Sequence, residues 1–169
     1  MSEKGEQKIG GDVAAKILGA SRLVDDAELQ KYVNKVGVWI ALHSDRPQLP
    51  WRFGVLDTAS INAFSAPGGY VFVTRGLLLI MKNEAELAGV LAHEVSHVTR
   101  KHVINTRRTG ALAGLLADAH SDSRDDSAES QTMRKVVSAS TEIFTRGLDK
   151  KDEYESDRLG MVTAARAGY

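Results

Sequence analysis

The chain has 169 residues, enough for one domain with a hydrophobic core, and its 22 basic side chains balance 22 acidic ones. Because the net charge is zero and no basic stripe is present, nucleic acid is not expected as the main partner. The absence of cysteine excludes disulfides and cysteine-based zinc fingers. We expect no signal peptide at the start and no transmembrane segment, since no apolar run approaches roughly 20 residues.

Two helices are predicted in the first quarter of the chain. Residues 7–19 keep apolar side chains along part of one helical face. Asp25 and Asp26 are typical of the N-cap and first turn of a second helix, whose apolar residues continue at helical spacing to residue 42. A loop with two prolines is predicted over residues 43–50.

A region of short strands follows. Residues 53–56, 61–64 and 70–74 carry apolar side chains typical of strands, and a Pro-Gly-Gly turn at residues 67–69 separates the last two. Three strands among several helices predict an α+β domain that is mostly helical. We expect the small sheet of this domain to be covered on one side.

The central predicted helix spans residues 87–102 and carries the sequence HEVSH at residues 93–97. At about 100° per residue, His93 and His97 lie one turn apart on one face, and Glu94 lies beside them. This is the spacing of two zinc ligands and a general base. A carboxylate next to a zinc-bound water can take the proton of that water as it attacks a peptide carbonyl.

The five-residue pattern is also typical of a surface helix whose histidines and glutamate are solvated. The flanking residues favour a metal, because they are mostly apolar and a buried histidine pair without a partner would be costly. His102, five positions after His97, is predicted to point away from His93 and is not counted among the ligands. Residues 118–130, rich in serine and aspartate, are predicted to be disordered.

A third ligand must come from elsewhere, and the final predicted helix at residues 147–167 offers the best candidates. Glu153 and Asp157 share one face of this helix, and the small residues Gly160 and Ala164 continue that face. A close helix approach would let Glu153 reach the metal while Asp157 holds a histidine through its other ring nitrogen. A solvated charged surface explains the same pattern. Two other carboxylates are alternative ligands: Glu142 and Glu155.

Four stretches of the chain together form a pattern that is highly specific for one protein family. They are YVNKVG at residues 32–37, INAFSAPGGYVFVTRGL at 61–77, ELAGVLA at 86–92 before the histidine motif, and DEYESDRLG at 152–160. With them the chain resembles the gluzincin metallopeptidases of family M48, which holds the HtpX heat-shock proteases, the CAAX prenyl proteases and the Oma-type proteases. The last stretch resembles the Glu-x-x-Ala-Asp element of this family, with Ser156 in place of the usual alanine.

The resemblance implies a zincin-like (minigluzincin) domain over residues 1–169. It implies one zinc ion per chain bound by His93, His97 and Glu153, with Glu94 as the catalytic base and Asp157 supporting the site. In related zinc peptidases an edge strand beside the cleft pairs with the extended substrate backbone. Asn62, Ala63 and Phe64 are therefore expected to bind substrate, and a covered structural strand is the alternative interpretation of these three residues.

The function that this resemblance implies is zinc-dependent endopeptidase activity on misfolded, unfolded or outer-membrane polypeptides in protein quality control. It also implies a bacterial periplasmic or membrane-associated location. The alternative is a weakly active or inactive chaperone-like module that holds unfolded chains. Because relatives usually continue past the equivalent of Tyr169, we expect a domain truncated at its C-terminus, with the oxyanion-stabilising residue beyond this end.

Overall fold

The computed structural model describes residues 2–109 and 150–169 and has helices on both faces of a small mixed sheet. The predicted α+β class with three strands and mostly helical content is therefore confirmed. The predicted disordered segment at residues 118–130 lies outside the described residues. The elements in chain order are α1 Glu3–Ala20, α2 Ala27–Leu42, β1 Arg52–Leu56, β2 Ala63–Ala66, β3 Tyr70–Thr74, α3 Arg75–Ile80, α4 Glu84–Thr99, α5 His102–Thr109 and α6 Lys150–Arg166.

Short polar side chains fix where the helices begin. Asp26 caps α2, as predicted, because its Oδ1 accepts a hydrogen bond from the backbone N–H of Leu29 at 3.0 Å. Asn83 does the same for α4, where its Oδ1 accepts from the N–H of Glu86 at 3.0 Å. Among the helices of the described residues, none has both the length and the apolar character needed to cross a bilayer.

The sheet has the strand order β1-β3-β2, with β3 parallel to β1 and antiparallel to β2. Val71 and Val73 of the central strand pack in the core with α2 and α4, whereas Tyr70 and Phe72 pack with α1. The prediction of a sheet covered on one side is therefore wrong. The apolar face of α1 needs a partner, and a nearly continuous apolar central strand is typical of a sheet buried on both faces.

The sequence had indicated that the second strand begins at residue 61. In the structure, the edge strand β2 begins at Ala63. The segment before it keeps one backbone hydrogen bond to Thr74 and otherwise pairs with the Thr74 side chain. The Thr74 hydroxyl donates to the carbonyl of Ser60 at 2.6 Å and accepts from the N–H of Asn62 at 3.1 Å. The predicted turn after β2 is confirmed, and it needs glycine because Gly68 and Gly69 have φ of 78° and 98°.

Helix α1 carries one fully buried carboxylate, Glu6, which the sequence patterns did not single out. Glu6 accepts two hydrogen bonds from Arg46, at 2.7 and 3.1 Å, and lies 3.2 Å from Nζ of Lys101. The N–H of Gly68 also donates to it at 3.3 Å. Burial alone would raise the pKa of Glu6, but the hydrogen bonds and charges of Arg46 and Lys101 outweigh burial and lower it. This carboxylate ties α1 to three loops around the sheet and α4.

Replacing Glu6 by glutamine should destabilise the fold by about 3 kcal/mol at pH 7, because Arg46 and Lys101 lose the fully buried carboxylate that neutralises them. The pKa of Glu6 is lower in the folded chain than its ordinary value of 4.5, so its stabilising effect is complete above pH 4.5 and declines as the pH falls below that value. Urea unfolding at pH 7 and pH 3 measures this, and the difference between wild type and variant should shrink at pH 3. Glu3→Gln, at an exposed residue of the same helix, is the matched control. Equal effects of the two substitutions would contradict the prediction.

Candidate metal centre

Helices α4 and α6 approach closely at Gly160. A Cβ atom on Gly160 would lie 3.0 Å from the backbone N of His93 and 3.1 Å from its Cα, so a larger residue would push the helices apart. Ala164, one turn later, packs at the margin of the main core. The predicted role of Gly160 in helix approach is therefore confirmed, and the carboxylates of α6 come to lie over the histidines of α4.

The side chains of His93, His97 and Glu153 converge on one point. The Nε2 atoms of the two histidines are 2.9 Å apart. The Glu153 carboxylate oxygens lie 3.3 Å from Nε2 of His93 and 3.7 Å from Nε2 of His97. Zinc bound tetrahedrally at about 2.0–2.1 Å separates its ligand atoms by about 3.3 Å. The spacing and the donor set thus fit this metal, and these three residues could hold one ion.

Asp157 contacts the opposite edge of the His93 ring. One carboxylate oxygen lies 2.9 Å from Nδ1 of His93, the ring nitrogen that faces away from the cluster. A carboxylate in this position accepts the Nδ1 hydrogen and leaves a lone pair on Nε2. Asp157 thus has the geometry that its spacing from Glu153 had suggested.

Burial keeps His97 neutral. The side chain is almost inaccessible, and burial together with the neighbouring histidines His93 and His102 lowers its pKa to about 3. Its ring is therefore neutral at physiological pH. A neutral imidazole is the form that can bind a metal ion.

Glu94 lies buried beside this cluster, one residue after His93. Burial raises the pKa of Glu94 to about 7, against the opposing effects of the His93 ring and of a hydrogen bond from Ser65. Ser65 belongs to β2 and was missed in the sequence, because only the packing of β2 against α4 brings it to this carboxyl group. At neutral pH Glu94 is therefore poised between its two protonation states.

His102 does not point away from the histidine pair, and the prediction of one continuous helix is wrong. Helix α4 ends at Thr99, and Lys101 adopts a φ of 58° before α5 begins at His102. This turn brings Nδ1 of His102 to 3.0 Å from Nδ1 of His97. His102 thus contacts the back of the His97 ring and stays outside the ligand group.

Ser156 and Glu155 of α6 also lie close to the histidines but are not metal ligands in this arrangement. Ser156 Oγ lies 3.1 Å from Nδ1 of His97. Glu155, one alternative ligand, contacts Arg100 and His102 at 3.2 and 3.4 Å and does not belong to the ligand group. Glu142, the other alternative, lies outside the described residues.

The edge strand β2 lies beside α4. The N–H of Thr74 donates to the carbonyl of Asn62 at 3.0 Å, and main-chain groups alternate along an antiparallel pair. Phe64 therefore turns its main chain towards β3, whereas Ala63 and Ser65 turn theirs to the outer edge of the sheet, which pairs with no further strand among the described residues. The Phe64 side chain packs on the α1 side of the sheet, and Asn62 Oδ1 accepts from the N–H of Ala63 at 2.9 Å.

Two bacterial proteins match nearly the whole chain. The β-barrel assembly-enhancing protease of Escherichia coli (strain K12) is 28% identical over 174 aligned positions, which cover 97% of this chain and 35% of that protein. The putative β-barrel assembly-enhancing protease of Vibrio cholerae serotype O1 is 31% identical over 175 positions, with coverage of 97% and 35%. The chain thus spans about a third of the length of these curated relatives.

A eukaryotic protein and a family model match as well. The mitochondrial metalloendopeptidase OMA1 of Arabidopsis thaliana is 30% identical over 152 positions, which cover 88% of this chain and 29% of that protein. The model of peptidase family M48 matches residues 25–169. Because this match covers most of the chain, including both helices of the candidate metal centre, the chain belongs to peptidase family M48.

Proposed function

We propose that this chain is a zinc-dependent metalloendopeptidase in which His93, His97 and Glu153 bind one zinc ion and Glu94 is the catalytic residue. The observation that carries the proposal is the convergence of three ligand atoms from two helices, all within 4.8 Å of one another. Membership of a metallopeptidase family supports it. The buried carboxyl group of Glu94 beside the cluster supports it further.

Zinc, when bound, supplies a Lewis acid that polarises the scissile carbonyl and activates a water molecule. The chain contributes two imidazoles and one carboxylate to hold the ion. Asp157 keeps the His93 ring oriented by accepting the hydrogen on Nδ1, at 2.9 Å. The low pKa of His97 keeps its lone pair available throughout the physiological range.

Glu94 takes a proton from the attacking water and delivers it to the leaving amine. A general base works best when its pKa is close to the working pH. Burial raises the pKa of Glu94 to about 7 in the metal-free chain, and the charge of a bound zinc ion would lower it and favour the ionised base. The hydroxyl of Ser65 orients the carboxyl group by donating a hydrogen bond to it.

Substrates bind as extended chains along the outer edge of β2. The outward carbonyl of Ala63 and the outward main-chain groups of Ser65 pair with the peptide backbone. The side chain of Asn62 accepts from the N–H of Ala63, and Phe64 packs on the α1 side of the sheet. This mode of binding requires a polypeptide without its own secondary structure, so the substrates are unfolded or misfolded proteins. The bacterial relatives are named for the assembly of β-barrels. Transmembrane β-barrels of bacteria are outer-membrane proteins, so this name supports a role in protein quality control in the periplasm.

Cleavage of unfolded casein by the zinc-loaded chain tests the proposal. We expect fragments to appear, o-phenanthroline to abolish their formation, and added zinc to restore it, with one zinc per chain by elemental analysis. If casein binds at full zinc occupancy but is not cut, the proposed peptidase activity is rejected and a chaperone-like module is favoured. Cleavage that resists the chelator would reject the metal mechanism.

A further inference from the structure

A second polar cluster lies behind His97, on the ring edge opposite the candidate metal centre. Nδ1 of His97 lies 3.0 Å from Nδ1 of His102 and 3.1 Å from Oγ of Ser156, and the last two atoms are 3.2 Å apart. All three residues are buried, with relative exposures of 3%, 3% and 0%. Since water has little access to this triangle, its hydrogen bonds must be satisfied largely among protein groups.

The chemistry of the proposed zinc site decides which atoms carry hydrogens. If Nε2 of His97 gives its lone pair to a metal, Nδ1 must carry the ring hydrogen and donate it. Among the described residues, Nδ1 of His102 and the hydroxyl oxygen of Ser156 are the acceptors within reach. A bond from His97 into Nδ1 of His102 requires that His102 carry its own hydrogen on Nε2.

The surroundings of His102 agree with this arrangement. Its Nε2 faces acceptors, with carboxylate oxygens of Glu155 at 3.4 Å and of Asp152 at 3.9 Å. Arg100, which lies 3.2 Å from the other oxygen of Glu155, holds that carboxylate in place. His97 can therefore donate a hydrogen bond to His102, and His102 can donate one to the acidic side chains of α6.

We propose that His102 and Ser156 are positioning residues that hold the His97 ring with Nε2 directed at the metal. This inference rests on the proposed function, because it assumes that His97 is a ligand. His93 is held by Asp157 directly, whereas His97 is held through a second histidine and a hydroxyl. The end of α4 and the positive φ of Lys101 place His102 against the ring of His97, so this turn allows His102 to position the ligand.

Zinc affinity, measured by competition with a chromophoric chelator, tests the inference together with the thermal unfolding of the metal-free chains. His102→Leu should weaken zinc binding about 10- to 100-fold, the usual cost of losing a partner of a metal-binding histidine. His102→Asn should restore most of the affinity, because its Oδ1 can occupy the position of Nδ1. Ser156→Ala should give a smaller loss. His43→Leu, at a half-buried histidine at the end of α2, is the matched control and should leave the zinc affinity unchanged.

Ring ¹⁵N NMR of the wild-type chain with zinc provides a readout that does not depend on any variant folding. We expect hydrogen on Nδ1 of His97 and on Nε2 of His102. Hydrogen on Nδ1 of His102, or wild-type zinc affinity in a folded His102→Leu chain, would overturn the inference while leaving the proposed zinc site intact. A wild-type chain that binds no zinc would overturn both.

Discussion

Replacing Glu94 by glutamine should lower the rate of peptide-bond cleavage by about 10²- to 10⁴-fold and leave zinc binding unchanged. Glutamine has nearly the same size and fills the same space, but its amide cannot take a proton from water. Because the side chain is buried and its pKa is raised, the neutral amide should also be tolerated by the fold. The measurement is the turnover of unfolded casein by chains of equal zinc content.

Glu28→Gln is the matched control for this experiment, since it makes the same change at an exposed position of α2. Its cleavage rate should equal that of the wild type. A Glu94→Gln chain that cuts casein at the wild-type rate would assign the proton transfer to another residue. A chain that loses zinc as well would make Glu94 part of the metal site.

Replacing Glu153 by alanine should weaken zinc binding by more than about 100-fold, because losing a direct ligand costs more than losing a partner of a ligand. The fold should survive, since the Glu153 side chain is 43% exposed and only its ligand atoms reach the cluster. Isothermal titration with zinc and circular dichroism of the metal-free chain separate the two effects. Cleavage should fall together with zinc occupancy.

The corresponding control is Glu28→Ala, which removes a carboxylate of the same size from a solvated surface. If Glu153→Ala keeps its zinc at wild-type affinity, a different group completes the metal site. If zinc is lost but cleavage persists, the peptidase reaction does not depend on this ion. The first result would remove Glu153 from the proposed ligands, and the second would remove zinc from the proposed reaction.

Local periodicity along the chain determines much of the site without any contact between distant elements. In an α-helix residues four apart share a face, so the spacing of His93 and His97 alone placed two imidazoles side by side with Glu94 adjacent. The N-cap at Asp26 and the turn after β2 were equally local, because each depends on hydrogen bonds or φ angles within a few residues.

Contacts between distant elements were decided only by the tertiary structure. The spacing of Glu153 and Asp157 allowed both a metal ligand and a solvated surface, and the packing of Gly160 against His93 brings that carboxylate to the imidazoles. The tertiary structure also decided the position of His102. A straight helix would have directed it away from His97, but the turn at Lys101 brings it into contact with that ring. The sequence by itself thus determined the helical face that carries the chemistry. Which other side chains meet that face depends on close packing between helices some 50 residues apart, and no repeat along the chain encodes that packing.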